Sequence, residues 1–233
     1  MKRGFDMAGK KLFITGTGTD VGKTYVAGLI LQKLTRSGVR AAYYKAAMSG
    51  NERGADGALI PGDALYVKRV SGAGQPLDKM CPYVYEHAYS PHLAARLERN
   101  ELRMERVLDG LDDLLKKYDC VTVEGSGGIL CPLRFDGQKI FLTDLIRARR
   151  MRCLLVSGAG LGSINAAGLT AQYMRAQGIA LAGIVLNRYR AGDVLDEDNR
   201  RMIEYVAGAR VLCSIGEGGE MDLSAQALLS LYD

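Results

Sequence analysis

Long apolar segments are missing from this 233-residue sequence, which has no run close to the ~20 apolar residues that a membrane-spanning helix needs. The start of the sequence also lacks the basic, apolar and small residues, in that order, that mark a secretory signal peptide. Apolar residues make up 48% of the chain and charged residues 24%, which is ordinary for a soluble globular protein. The composition therefore predicts a cytoplasmic protein with no membrane partner.

The sequence also lacks a C-x-x-C motif. Its cysteines number five, which is odd, so they cannot all be paired in disulfides. This pattern predicts a protein of a reducing compartment without structural disulfides or a zinc site. The excess of positive charge is small, at +5. Four arginines cluster within residues 147–152, but no aromatic residues are interleaved with them, so the solvated end of a helix is favoured over a nucleic-acid surface. We therefore expect no nucleic-acid partner.

Strand-like and helix-like segments alternate along the chain, which predicts an α/β fold built on a parallel sheet with helices on both faces. The candidate strands are Lys11–Thr15, Ala41–Lys45, Cys120–Glu124, Cys153–Ser157, Leu181–Asn187 and Val211–Ser214. The candidate helices are Thr24–Arg36, Asp63–Val70, His92–Arg99, Met104–Tyr118, Ser163–Gln177 and Asp196–Ala207. No linker or repeat is visible, so we expect a single domain over residues 11–233 after a flexible extension over residues 1–10.

The segment Gly16–Thr24 follows an apolar strand and precedes a segment with helical apolar spacing. A glycine-rich turn between a strand and a helix, ending in Lys-Thr, predicts a phosphate-binding loop, because glycines let backbone N–H groups converge on phosphate oxygens. In such a loop Lys23 would reach the outer phosphates and the Thr24 hydroxyl would ligate magnesium. Gly16 and Gly22 are six positions apart, whereas the two glycines that frame the usual pattern are five apart, so the loop is a variant. An ordinary strand-to-helix turn is the alternative.

Charged residues follow or end the strands near this loop, where ligands of open parallel sheets bind. Lys45 ends the second strand and would be a second cation for a migrating phosphoryl group, or a solvated lysine. Glu124 ends an apolar strand, and since burying an unpaired carboxylate is costly, a magnesium ligand is favoured over an exposed side chain. Asp63 would add a carboxylate to this magnesium site, or serve only as a helix N-cap.

Three further positions have both a functional and a structural interpretation. Asp20 would point towards the metal or a substrate amine, or hydrogen-bond the amides of its own loop. The segment Gly162–Asn165 begins a helix whose free N–H groups suit a carboxylate, or is simply a capped helix start. Asn187 ends a strand and has the donor and acceptor groups that suit an adenine edge, or forms a turn.

Taken together, these segments resemble the dethiobiotin synthetase family, and the resemblance extends from about Leu12 to Asn187. It depends on several blocks in the family's order. These are Gly-Thr-x-Thr-x-Val-Gly-Lys-Thr, Tyr44-Lys45 with Ser49-Gly50, Gly62-Asp63-Ala64-Leu65, Ser90-Pro91-His92, Val123-Glu124-Gly125-x-Gly127-Gly128, and Leu161-Gly162-x-Ile164-Asn165 with Leu169-Thr170-Ala171-Gln172.

The resemblance implies a P-loop NTPase-like domain that makes dethiobiotin, ADP and phosphate from 7,8-diaminopelargonic acid, CO2 and ATP. It also implies a homodimer with active sites at the subunit interface. By motif, Lys23 and Lys45 are catalytic, and Thr24, Asp63 and Glu124 bind magnesium. The ATP-binding residues implied are Thr19, Asp20, Val21, Gly22, Lys23, Thr24, Tyr25, Glu124 and Asn187. The substrate-binding residues implied are Ser49, Gly127 and Gly128, with Gly162, Ile164 and Asn165 from the partner subunit.

The sequence departs from the family's pattern at Ala46, which replaces a proline, at Gly160 and at Ala166. The segment Ser214–Gly219 also lacks the proline of the family's adenine-side loop.

Two other functions fit the phosphate-binding loop and the strand before it: a switch ATPase of the partition or septum-site kind, and an ATP-dependent amidating ligase. The first usually has a lysine directly after an early loop glycine, where this sequence has Thr17 and Thr19.

Overall fold

Alternating strands and helices make up residues 9–233, the part of the chain that the computed structural model describes. The strands are β1 (Lys10–Gly16), β2 (Ala41–Lys45), β3 (Cys120–Glu124), β4 (Pro132–Phe135), β5 (Lys139–Phe141), β6 (Cys153–Gly158), β7 (Leu181–Asn187) and β8 (Val211–Ile215). The helices are α1 (Lys23–Arg36), α2 (Gly62–Ser71), α3 (Pro91–Leu97), α4 (Met104–Lys117), α5 (Leu142–Ala148), α6 (Ser163–Ala176), α7 (Val194–Ala207) and α8 (Ala225–Leu229).

Six strands form one sheet in the order β2-β3-β1-β6-β7-β8, and every pairing within it is parallel. The strands β4 and β5 form a separate antiparallel pair. In the main sheet the register sets Lys45 of β2 beside Glu124 of β3, and Glu124 beside Ile14 of β1. The carboxyl ends of three adjacent strands therefore meet at the edge of the sheet where the phosphate loop begins.

Both faces of the sheet are covered, because consecutive strand residues point to opposite sides. On β2, Tyr43 packs with residues of α1 and α2, and Tyr44 packs with residues of α4 on the other face. On α4, Val107, Leu111 and Leu114 are buried in the core, and Leu108 and Leu115 pack against it. This two-faced burial holds the central strands, and with them the loops at their carboxyl ends, in fixed positions.

The open edge of β2 is closed by a side chain instead of another strand. The Tyr43 N–H donates to Gln75 Oε1 at 2.8 Å, and Gln75 Nε2 donates back to the Tyr43 carbonyl at 2.9 Å. Gln75 is fully buried. Its amide thus satisfies the backbone groups that an edge strand leaves unpaired.

The sequence predicted all six strands of the main sheet and six of the helices, with ends that differ by two residues or fewer. It missed the hairpin of β4 and β5 and the short helix α8, and for α5 it expected only a helix end at the arginines of residues 147–152, without a start. Most of the extension expected over residues 1–10 lies outside the described residues, and β1 begins at Lys10, one residue before the expected boundary. No helix within residues 9–233 is long and apolar enough to cross a membrane.

Candidate active site

The loop between β1 and α1 wraps the N-terminus of α1. Gly22 sits at the N-cap of α1 with φ +94°, a conformation that favours glycine, and a Cβ there would overlap the Asn187 amide. The Asn187 Nδ2 donates to the Val21 carbonyl at 3.1 Å, so the end of β7 tethers the loop. The backbone N–H groups at the start of α1 are left for an anion. This geometry fits the predicted phosphate site.

Lys23 is nearly buried, and its Nζ donates to the Gly18 carbonyl at 2.8 Å, which folds the side chain back over the loop. Burial lowers the pKa of Lys23 below its ordinary value, although Glu124 opposes this shift, and the nearby Lys45 adds to it. An ammonium group that is partly stripped of water interacts more strongly with a phosphate than a solvated one does. Lys23 is therefore placed to bind the anion for which the loop is shaped.

A second lysine, Lys45, links two carboxylates beside the loop. Its Nζ lies 2.6 Å from Asp63 Oδ2 and 2.7 Å from Glu124 Oε1. The Thr24 hydroxyl donates to the same Glu124 Oε1 at 2.8 Å, and the Tyr43 hydroxyl donates to Glu124 Oε2 at 2.9 Å. The structure thus brings together Thr24, Lys45, Asp63 and Glu124, as the sequence predicted, and adds Tyr43, which the sequence analysis missed.

Burial strengthens the electrostatic interactions within this cluster, since the Glu124 side chain is fully buried and the Lys45 side chain is 7% exposed. Burial alone would lower the pKa of Lys45, but the charges and hydrogen bonds of Glu124 and Asp63 outweigh it and raise the pKa above its ordinary value. Burial, together with the charge of Glu124, raises the pKa of Tyr43 well above its ordinary value. With Glu124 and Asp63 as its neighbours, Lys45 is therefore held in its charged form, and the Tyr43 hydroxyl keeps its proton and donates it to Glu124.

Magnesium fits the oxygen atoms of this cluster. No group of three or more His, Cys, Asp or Glu residues able to hold a metal is found among residues 9–233. Magnesium does not need one, because it is commonly held by one or two carboxylates, with substrate phosphates and water as the other ligands. Glu124, Asp63 and the Thr24 hydroxyl provide such a set, and the Lys45 ammonium between the carboxylates shows that their geometry accommodates a cation.

The cluster opens into a cavity of about 770 Å³ at the carboxyl ends of β1, β2 and β3. The Ser49 hydroxyl oxygen is buried and has no hydrogen-bond partner among the described residues, so it is free to contact a ligand. The predicted site residues that line the cavity are Thr19, Asp20, Gly22, Lys23, Thr24, Lys45, Ser49, Asp63, Glu124 and Gly127.

The other predicted residues lie outside this lining. Tyr25 donates to the Gly219 carbonyl at 2.5 Å and so joins α1 to the loop after β8, and Gly128 approaches the backbone of the phosphate loop. Gly162 is the N-cap of α6, Ile164 is half-buried and Asn165 is exposed. The roles assigned to Val21, Asn187 and these residues stay predictions.

Five lining residues escaped the sequence analysis: Ala88, Tyr89, Ser126, Cys131 and Arg188. Arg188 follows Asn187 with φ +56°, uncommon for a residue other than glycine. Tyr43 had a readable signal, since it lies two residues before Lys45 in a strand and therefore on the same face. Cys131 and Arg188 had none, because loops place them.

Comparisons with known proteins agree with this geometry. Residues 10–222 match a family described as an AAA domain. The ATP-dependent dethiobiotin synthetase of Brachyspira hyodysenteriae is 43% identical over 90% of this chain and 93% of its own. That of Clostridium botulinum strain Langeland is 40% identical over 95% and 97% of the two chains. That of Clostridium perfringens strain 13 is 39% identical over 88% and 90%.

Solved structures with a similar fold include a ParA family ATPase from Chlorobium tepidum, which has a TM-score of 0.55 and covers 97% of this chain and 92% of its own. The MinC:MinD cell division complex of Aquifex aeolicus has a chain with a TM-score of 0.55 that covers 95% and 93%. Both are 16% identical to this chain, so the likeness concerns the fold alone. It confirms the predicted α/β class with its parallel sheet.

Proposed function

We propose that this chain, which belongs to the family of ATP-dependent dethiobiotin synthetases and to the matched AAA domain family, catalyses the reaction for which those relatives are named. The reaction joins 7,8-diaminopelargonic acid and CO2 into a ureido ring and converts ATP to ADP and phosphate. The observation that carries the proposal is the buried group of Lys45, Glu124, Asp63 and Thr24 beside the phosphate loop. A second buried cation there suits a reaction that joins two anions, a carbamate and a triphosphate.

Negative charge moves between the reactants in each step of the reaction. An uncharged amine adds to CO2 and loses a proton to give a carbamate. A carbamate oxygen then attacks the γ-phosphorus of ATP, so that ADP leaves and a carbamic–phosphoric anhydride forms. The second amine then attacks the carbamate carbon, loses a proton and expels phosphate as the ring closes. Catalysis therefore requires mainly alignment and charge neutralisation.

The two lysines supply fixed positive charge for these steps. Lys45 stays protonated because its carboxylate neighbours raise its pKa, and Lys23 lies over the phosphate loop. We assign both lysines to the oxygens of the γ-phosphate and the carbamate. The unpaired hydroxyl of Ser49 lines the same cavity and is assigned to the carbamate. Neutralisation by charges that the protein holds in place is worth more than neutralisation in bulk water.

Magnesium is assigned to Thr24, Asp63 and Glu124, whose oxygens fit its ligand preference. When bound, it would neutralise charge on the β- and γ-phosphate oxygens. The protein's part is to hold the two carboxylates and the hydroxyl close together beside the loop.

A homodimer with shared active sites is part of the proposal. Leu161, just before α6, is 88% exposed and Leu169, within α6, is 59% exposed, so both offer apolar surface to a second copy. The Ser163 hydroxyl oxygen there is buried without a partner among the described residues. A second copy packed on this surface would bring the N–H groups of Gly162, Ile164 and Asn165 to a neighbouring cavity, where they would bind the substrate carboxylate, while the Ser163 N–H already donates to the Gly160 carbonyl.

The cytoplasm is the proposed location. All five cysteines lie within the described residues and are free thiols, and four of them are buried. Free thiols suit a reducing compartment, where ATP is also available as co-substrate.

The direct test is to incubate the purified protein with ATP, magnesium and bicarbonate, with and without the diamine, and to measure phosphate and dethiobiotin. We expect phosphate release to require the diamine. Lys45→Ala and Lys23→Ala should each lower turnover by at least ~100-fold, the loss typical of removing one transition-state donor. Lys116→Ala is a control, because Lys116 is an exposed surface residue. Phosphate release at the same rate with and without the diamine would indicate a switch ATPase instead.

Shared sites can be tested by mixing two inactive variants. Lys45→Ala disables a cavity, and Asn165→Asp adds a negative charge at the start of α6. If each site combines Lys45 of one subunit with α6 of the other, a heterodimer of the two variants keeps one intact site. Random exchange would then restore about a quarter of normal activity. No recovery in a mixture shown to exchange subunits would reject the shared site.

A further inference from the structure

We propose that Tyr43 makes the predicted metal site selective for magnesium over calcium, by holding one oxygen of Glu124 so that this carboxylate offers the metal a single oxygen. The inference depends on the proposed assignment of Glu124 as a metal ligand. It goes beyond that assignment by giving a role to a residue outside the phosphate loop and outside the predicted site.

The Tyr43 hydroxyl is fixed by the fold. Tyr43 is fully buried in the core between the sheet and the helices α1 and α2. Its backbone pairs with Thr122 of β3 on one side and is held by the Gln75 amide on the other. Because backbone and ring are both packed, the hydroxyl cannot move away from Glu124 Oε2, which it contacts at 2.9 Å, without disturbing the core.

The two oxygens of Glu124 differ in how easily they can be freed. At Oε1 the donors are the Lys45 ammonium, at the end of a flexible side chain, and the Thr24 hydroxyl, itself a predicted metal ligand. Both line the cavity and can turn towards a metal or a phosphate. At Oε2 the donor is Tyr43, whose hydroxyl has no other hydrogen-bond acceptor within residues 9–233. A metal from the cavity can thus take Oε1 freely, while at Oε2 it would have to share the oxygen with the fixed hydroxyl of Tyr43.

Magnesium and calcium respond differently to a carboxylate with one free oxygen. Magnesium takes six ligands in a strict octahedron and keeps several waters, so one carboxylate oxygen is sufficient. Calcium takes six to eight ligands and often binds both oxygens of a carboxylate. To do so here, calcium would have to share Oε2 with the hydroxyl of a buried tyrosine that cannot move away, and weakening such a hydrogen bond to a charged acceptor is costly. The hydrogen bond therefore penalises calcium and leaves magnesium unaffected.

The test is Tyr43→Phe, which removes the hydroxyl and keeps the ring. Its matched control is Tyr44→Phe, since Tyr44 is equally buried but points to the other face of β2 and donates to the Val107 carbonyl at 2.7 Å. Binding of MgCl2 and of CaCl2 is measured by calorimetry on protein saturated with β,γ-methylene-ATP. We expect the preference for magnesium to fall about tenfold in Tyr43→Phe, the equivalent of one hydrogen bond to a charged group, and to stay unchanged in Tyr44→Phe.

An unchanged preference in Tyr43→Phe, or an equal fall in Tyr44→Phe, would overturn the proposal. A crystal structure of the unaltered protein with the same nucleotide and calcium gives a second measurement that does not need a variant to fold. There we expect the ion on Oε1 alone with Tyr43 still on Oε2, whereas both oxygens on the ion would overturn the proposal. These experiments contain no diamine, so a failure of the proposed reaction would not affect them. If neither ion binds the unaltered protein, the metal assignment itself is wrong.

Discussion

Replacing Lys45 by methionine should make the stability of the protein depend on magnesium. The Lys45 ammonium lies 2.6 Å from Asp63 Oδ2 and 2.7 Å from Glu124 Oε1, between two carboxylates that are also the predicted metal ligands. Methionine keeps the apolar stem and removes the charge. The change therefore leaves a fully buried carboxylate, Glu124, without its cationic partner.

The size of the effect follows from the contacts that survive. Removing one partner of a buried ion pair costs about 3–5 kcal/mol. Glu124 keeps the hydroxyls of Thr24 and Tyr43 as donors, and the Asp63 side chain is 38% exposed and thus partly solvated. We therefore expect the lower end, about 3 kcal/mol, which for a chain of this length lowers the melting temperature by roughly 6–12 °C. Magnesium at a hundred times its Kd would restore about 2.7 kcal/mol.

The assay is urea unfolding of the unaltered protein and of Lys45→Met, with and without MgCl2 and without nucleotide. Lys116→Met is the control, because its ion pair with Asp113 is exposed and should contribute less than about 1 kcal/mol. We expect magnesium to stabilise Lys45→Met more than the unaltered protein, in which the ammonium competes for the same oxygens. Equal stabilisation of both proteins, or a Lys45→Met variant as stable as the unaltered one, would refute this reasoning.

Three further outcomes are expected. Gln75→Ala should lower the free energy of unfolding, measured with urea, by about 3 kcal/mol, because the Tyr43 N–H and carbonyl both lose a buried partner. A loss below about 1 kcal/mol would contradict the inference that Gln75 closes the open edge of β2. Burial raises the pKa of Cys131 to about 11, although Lys23 and Lys45 oppose this, so fewer thiolates are present at a given pH. Its alkylation by iodoacetamide, followed by mass spectrometry, should keep rising about tenfold per pH unit beyond pH 9, where an ordinary thiol levels off. Gly22→Ala should weaken nucleotide binding, measured by calorimetry, because φ is positive at this position and the added Cβ would overlap the Asn187 amide. Adding Asn187→Ala should restore part of the nucleotide affinity. No recovery would exclude the overlap as a cause.

Local sequence patterns carried enough information for the main sheet and most helices. Apolar runs that end in Lys45, Glu124 and Asn187 gave strands with the same bounds as in the structure, because their residues are buried on both faces. The hairpin of β4 and β5 was missed since its strands are three or four residues long and carry no clear alternation. The start of α5 was missed because it follows β5 directly, without a connecting turn.

The candidate site shows the limit of such patterns more clearly. The cost of burying a carboxylate told us that Glu124 needs a partner, but not which one. The partner depends on the order of the strands, which sets β2 beside β3, and on a register that pairs Lys45 with Glu124 across 79 positions of sequence. Once that pairing is given, the alternation of side chains along β2 requires Tyr43 to point to the same side as Lys45. One register thus supplies Glu124 with a mobile cation at one oxygen and a fixed hydroxyl at the other.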